Sequence, residues 1–176
     1  MKKKLLVGVS GSIAAHKTTR LVEELAKDYD VKVVLTKSAS KFVSELSLEL
    51  LSKHKVHVDV FDSYDDRVTH VEDAKEADLV LIVPASANTI GKIANGIADN
   101  MLTASVMVAK PNKVVLCPAM NDNMYTNKRV QANLQILKED GMHIIDPIEC
   151  TLTSGDIGIG GLAEDKTILE YVKNNI

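Results

Sequence analysis

The chain has 176 residues, 45% of them hydrophobic and 26% charged, which suits one globular domain able to bury a core without staples. A net charge of -3, with no basic cluster beyond Lys2-Lys3-Lys4, leaves no electrostatic case for nucleic acid, and the apolar run 5–9 is too short for a secretory leader or a bilayer span. Cys117 and Cys150 have no CxxC spacing, so neither a disulfide framework nor a zinc site is expected, and a cytoplasmic location follows.

There is no Trp and little Phe, so the core must be built from Val, Ile, Leu, Ala and Met. That composition favours helices packed on a parallel sheet. Residues 4–10 (KLLVGVS) form a β-run that feeds the turn Gly11-Ser12-Ile13 and then a helix over 17–28, with Leu21, Val22 and Leu25 on its apolar face. Gly11 lets a ligand approach the backbone, while Ser12 either caps the helix or binds a phosphate. The dinucleotide pattern G-x-G-x-x-G is incomplete here, because Ala14 takes its last place.

A second strand, 31–35, ends in the hydroxyl-rich turn Thr36-Lys37-Ser38, ahead of a helical pattern through Phe42, Val43 and Leu46. Two such turns at strand ends strengthen the case for an anion held among helix N-termini. Residues 56–60 read as a short strand, with His54 and His57 as solvated histidines. The polar stretch 62–69 precedes a helix that starts near His70, with Thr69 or Asp66 as its cap. His70 is the side chain here that titrates near neutral pH, and its ring is expected at the carboxyl edge of the sheet.

The apolar strand 79–83 stops at Pro84 and opens into Ala85-Ser86-Ala87-Asn88-Thr89. Ser and Thr serve as plain caps in such turns, yet a strand end beside a helix N-terminus is also where open α/β sheets hold ligands. Helices over 90–97 and 101–109 follow, separated at Gly96. Strand 113–117 leads into Pro118-Ala119-Met120-Asn121, in which the Asn121 amide suits a carboxylate and Met120 and Met124 suit packing. A helix over 127–140 ends at Gly141, and 143–145 is the last strand. Residues 147–164 carry four glycines with little periodicity and are expected to form a flap; a helix over 165–174 closes the chain. The fold class expected is α/β: a single-domain, Rossmann-like (flavodoxin-like), doubly wound parallel sheet over residues 1–176, with helices on both faces.

Taken in order, Gly11-Ser12-Ile13-Ala14-Ala15, His70, Pro84-Ala85-Ser86-Ala87-Asn88-Thr89, Ala94-Asn95-Gly96-Ile97-Ala98-Asp99-Asn100 and Pro118-Ala119-Met120-Asn121 with Met124 resemble the homo-oligomeric flavin-containing cysteine decarboxylases. These comprise phosphopantothenoylcysteine decarboxylases of coenzyme A biosynthesis and the peptidyl-cysteine decarboxylases of lantibiotic maturation. The resemblance implies an FMN whose phosphate sits at Gly11, Ser12 and Ile13 and at Thr36 and Ser38, with the ring near Ser86, Asn88, Thr89 and Ala119. It implies His70 as catalytic acid/base, Asn121 as holder of the substrate carboxylate, Met124, Ser154 and Gly155 as substrate contacts, and trimers or dodecamers as the assembly. The substrate is then a small molecule or peptide ending in cysteine, decarboxylated oxidatively to an aminoenethiol.

One departure stands out. The phosphopantothenoylcysteine enzymes carry Ala-Cys-Gly in the flap, where the thiol acts as an acid in the final reduction. Here Thr153-Ser154-Gly155 takes that place, and Cys150, four residues away, is a poor substitute unless the flap is displaced. A hydroxyl is a much weaker acid than a thiol, so the product is expected to remain an enethiol, as with the peptide enzymes. The Pro118-Ala119-Met120-Asn121 run and the pattern after Gly155 resemble the coenzyme A enzymes more closely. A flavin prenyltransferase-like enzyme and a non-catalytic flavin-binding regulatory subunit are the remaining readings; His70 and the 118–124 motif weigh against the first, His70 and Asn121 against the second.

Overall fold

The computed structural model describes residues 2–61, 68–151, 155 and 157–176. Its centre is a five-stranded parallel sheet of β1 (Lys4–Val9), β2 (Asp30–Leu35), β3 (Leu79–Ala85), β4 (Val114–Pro118) and β5 (His143–Ile144), in the order β2-β1-β3-β4-β5. Side chains alternate along each strand, so the sheet has two buried faces. Leu5, Val7, Leu81, Val83, Val115 and Cys117 face one core, which α1 (Thr18–Asp28), α2 (Glu45–Ser52) and α8 (Asp165–Asn175) cover. Leu6, Val80, Ile82, Val114 and Leu116 face the other, covered by α3 (Thr69–Glu76), α4 (Ala87–Ala94), α5 (Met101–Val108) and α7 (Lys128–Glu139). Each fully buried Leu or Ile contributes about 1.5–3 kcal/mol, so aliphatic side chains suffice without large aromatics. None of the described helices is long and apolar enough to cross a membrane.

The expected doubly wound sheet is what the structure contains, with several local corrections. The third strand does not stop at Pro84: β3 runs on to Ala85, which pairs with Pro118 after a shift in register. The first helix opens with a 3-10 turn over Ile13–Lys17 before α1 begins. The helical pattern at Phe42 is displaced, because α2 starts only at Glu45, where the Ser44 hydroxyl caps it. The stretch 56–60 makes a single bridge between Val34 and His57 instead of a strand, since too few residues line up with β2 to build a ladder. Val68, and not Thr69, occupies the cap position of α3, without a side-chain cap bond; Asp66 lies outside the described residues. The flap contains a two-stranded antiparallel hairpin of β6 (Ile148–Thr151) and β7 (Ile157–Gly161).

At the amino end of the sheet Asp78 ties β1 to β3. Its carboxylate accepts the Lys4 backbone N–H at 2.9 Å and the Lys3 ammonium at 3.4 Å, and its own N–H donates to the Lys4 carbonyl. The Lys4 N–H, seconded by Lys3, holds this carboxyl below its ordinary range. A carboxyl lowered by folding stabilises the fold above its unfolded pKa of about 3.9 and loses that contribution as pH falls through the folded value. Asp78→Asn should therefore lower the melting temperature at neutral pH, and the gap to the unsubstituted protein should close under acid. A gap of constant size across thermal melts from pH 7 to pH 2 would show that the carboxylate charge is not what matters there.

Candidate functional site

After β1 the chain turns to one face of the sheet, and after β3 it turns to the other, which opens a crevice between the two carboxyl ends. Ser10 fixes its base. The Ser10 hydroxyl donates to the Pro84 carbonyl at 2.7 Å and accepts the Ser86 N–H at 2.8 Å. The Thr18 hydroxyl, fully buried, donates to the Val83 carbonyl at 3.1 Å and pins the start of α1 against β3.

Above this base lies a cavity of ≈ 530 Å³. Its walls are the turn after β1 (Gly11, Ser12, Ile13), the turn after β3 (Ser86, Asn88), the loop after β4 (Ala119, Asn121, Met124), and the β6–β7 hairpin, which contributes Cys150, Thr151 and Gly160. Among the described residues lining it there is no Asp or Glu, and Lys17 carries its only fixed charge. Such a cavity favours an anionic ligand.

The turn after β1 is built to receive one. Ile13 is the first residue of a 3-10 helix, so its N–H has no intrahelical acceptor. The Ser12 hydroxyl accepts only a long bond, 3.4 Å, from the Ala14 N–H. Gly11 abuts Ser38 so closely that any side chain at position 11 would collide with the Ser38 Cβ, which brings the two hydroxyl-rich turns together at one edge. Hydroxyls, unpaired N–H groups and the absence of carboxylates fit the phosphate of the FMN that the motifs imply.

Asn121 caps α6 (Asp122–Tyr125) by accepting the Asn123 N–H on Oδ1 at 2.9 Å. That leaves Nδ2 as a donor into the cavity, the polarity needed to hold a carboxylate. The adjacent Met120 N–H donates to the Gly160 carbonyl at 2.9 Å, so the hairpin is fastened to the loop that carries Asn121. Glycine makes this docking possible: a side chain at Gly160 would collide with the Met120 carbonyl, and one at Gly158 would come within 2.6 Å of Asp122. Burial, seconded by nearby Asp146, raises the Tyr125 hydroxyl above its ordinary range, so the phenol keeps its proton at neutral pH.

The cavity gathers Gly11, Ser12, Ile13, Ser86, Asn88, Ala119, Asn121 and Met124 from the expected set. It does not gather Thr36, Ser38, Thr89, Gly155 or His70. The Thr36 hydroxyl accepts the Ala39 N–H, and Ser38 reaches the site only through Gly11. Thr89 is buried beneath Ser86 and accepts a bond from its hydroxyl at 3.3 Å. His70 lies in the first turn of α3, a helix of the opposite face, and does not line the cavity of its own chain. Ser154 lies outside the described residues. Cys150 lies in β6. Its pairing with Gly158 in the hairpin brings it to the cavity wall with the flap in place. His16 and Lys17 also line the cavity; neither belongs to a motif in the sequence, and both fall at the start of the helix expected from position 17. Cys117 is fully buried, and burial pushes its thiol far up, so it is part of the core.

The Flavoprotein family model matches residues 1–176. A probable phosphopantothenoylcysteine decarboxylase from Streptococcus mutans is 43% identical over 180 residues, covering all of both chains. The coenzyme A biosynthesis bifunctional protein CoaBC of Bacillus subtilis is 40% identical over 98% of this chain, which spans only 43% of that larger protein. Among solved structures, a PPC decarboxylase mutant complexed with pantothenoylaminoethenethiol superposes with a TM-score of 0.90 at 36% identity, over 99% of this chain and 98% of that one.

The glycine-only seam between hairpin and loop has a measurable consequence. Gly160→Ala should destabilise the protein by about 1–3 kcal/mol in denaturant unfolding, the usual cost of overpacking. A loss below about 0.5 kcal/mol, the range of an inert surface change, would mean that the hairpin is not seated on the Met120 carbonyl.

Proposed function

This chain belongs to the Flavoprotein family, and from that we propose that it is an FMN-dependent carboxy-lyase acting on the cysteine carboxyl of phosphopantothenoylcysteine, the reaction named for its full-length S. mutans relative. The observation that carries the reading is the Asn121 amide. Its oxygen is committed to the Asn123 N–H, and its nitrogen is free to donate into a cavity without carboxylates. A substrate carboxylate held there is oriented for loss of carbon dioxide.

Departure of carbon dioxide from an ordinary cysteine leaves an unstabilised carbanion, so an electron sink must be made first. FMN, when bound, would supply the two-electron acceptor for oxidising the Cβ–S unit to a thiocarbonyl able to accept the electrons of the breaking carboxyl bond. Gly11, Ser12 and Ile13 would hold the phosphate end and Ser86, Asn88 and Ala119 would face the ring, all of them lining the cavity. Asn121 fixes the carboxylate, and the β6–β7 hairpin limits access of water. The proton of the thiol goes to an imidazole ring nitrogen acting as general base.

That imidazole is His70 of a second copy of the chain. His70 does not line the cavity of its own chain, and exposed apolar side chains on or beside α3 and α5, namely Val68, Ile97 and Met107, supply a surface through which copies associate. A cyclic trimer closes such head-to-tail contacts. His70→Asn and Asn121→Ala proteins should each be inactive, with flavin retained in the former. Mixed and reassembled one to one, they should recover about a quarter of the original turnover, because a site between copies draws one residue from each. Mixtures that stay inactive would place both residues in one chain or remove His70 from the chemistry.

With Ser154 in the flap, the product is the aminoenethiol, and further reduction is slow because a hydroxyl is a poor proton donor beside a thiol. Ser154→Cys should raise the fraction of fully reduced thiol in the product mass spectrum. An unchanged product ratio would dissociate position 154 from the reductive step. The same experiment with a cysteine-terminated peptide tests the substrate: flavin bleaching by the peptide alone would move the activity to peptide maturation.

A further inference from the structure

The main cavity does not end at the flavin turn. His16, Lys17 and Leu162 line both this cavity and a second cleft of ≈ 560 Å³, which is also walled by Arg20, Glu164, Asp165 and Lys166. A single drug-sized ligand occupies a pocket of about 300–1,000 Å³. FMN therefore takes up much of the first cavity, and a second ligand anchored at Asn121 must extend into the neighbouring cleft.

The charges of that cleft are mostly spoken for. Arg20 makes a two-nitrogen contact with Asp165, at 2.8 and 2.6 Å, and Lys166 faces Glu170 at 3.9 Å along its own helix. Lys17 stands at the junction, exposed, and makes no ion pair or hydrogen bond among the described residues. Among the described residues it is the only Lys or Arg common to both spaces, and its flexible stem can swing toward either.

Resting on the proposed decarboxylase reading, we infer that Lys17 is the specificity residue that binds a phosphate monoester at the end of the substrate remote from its thiol, so that the junction of the two cavities selects a phosphorylated substrate. The Asn121 amide then reads the carboxylate end and the Lys17 ammonium the phosphate end, and the intervening neutral chain lies under the β6–β7 hairpin. A peptide ending in cysteine presents nothing to Lys17 at that position. The cofactor's own phosphate is the competing source of the same chemistry, but the Gly11-Ser12-Ile13 turn already offers it N–H and hydroxyl donors.

The test uses the flavin-loaded protein and two non-substrates that lack the carboxyl group, 4'-phosphopantetheine and pantetheine, with binding followed by calorimetry. The phosphorylated compound should bind more tightly. Lys17→Ala should weaken it by about tenfold, the loss of one charge-assisted hydrogen bond, with Lys17→Arg recovering part of the loss and the decline confined to the phosphorylated compound. Equal weakening of both compounds, an unchanged ratio, or loss of flavin from Lys17→Ala would each overturn the assignment, the last by giving Lys17 to the cofactor. Because neither probe is decarboxylated, the two readings separate: a preserved binding contrast without turnover refutes the decarboxylase and keeps the phosphate site, while turnover without the contrast does the reverse.

Discussion

The bonding of Ser10 to the third strand is the constraint from which the site follows. One hydroxyl donates to the Pro84 carbonyl and accepts the Ser86 N–H, holding the ends of β1 and β3 side by side. The chain then leaves these strands toward opposite faces, which opens a gap between them. A crevice is thus an obligatory product of the strand order. Its rim consists of turns, where N–H and hydroxyl groups are not consumed by the sheet ladder.

What fills the crevice is set by what surrounds it. The loop after β4 brings an asparagine whose amide is turned by its own helix cap, and the hairpin closes against that loop through glycines at 158 and 160. The fit is tight because backbone meets backbone at Met120 and Gly160. Rigidity of the Asn121 loop and the placement of the flap are therefore one property. A displacement of the hairpin would shift the loop that carries Asn121 as well.

Much of this was legible in the chain. Continuous apolar runs in β1, β3 and β4, aliphatic composition and spaced helical faces point to a parallel sheet with a core on each side, since strands covered on both faces need apolar residues at every position. Gly11, Ser12 and Asn121 stood out because turn residues at strand ends carry a stated chemistry. The hairpin in the flap was hidden by glycines, which erase side-chain alternation while preserving the backbone pairing that β6 and β7 use.

The tertiary structure alone decided which of these residues share one cavity. Thr36 and Thr89 have the right chemistry, but their hydroxyls serve a neighbouring turn or lie beneath one, and Ser38 meets the site through Gly11, while His16, Lys17 and Cys150 reach the cavity from positions with no motif. His70 falls on the far face because α3 packs with α5, an arrangement that local pattern does not encode. Sequence by itself determined the elements, the two cores and the polar turns, since these depend on periodicity and on each residue's own conformational preferences. Proximity between turns depends on strand order, register and the face to which each helix departs, and those are properties of the packed chain as a whole.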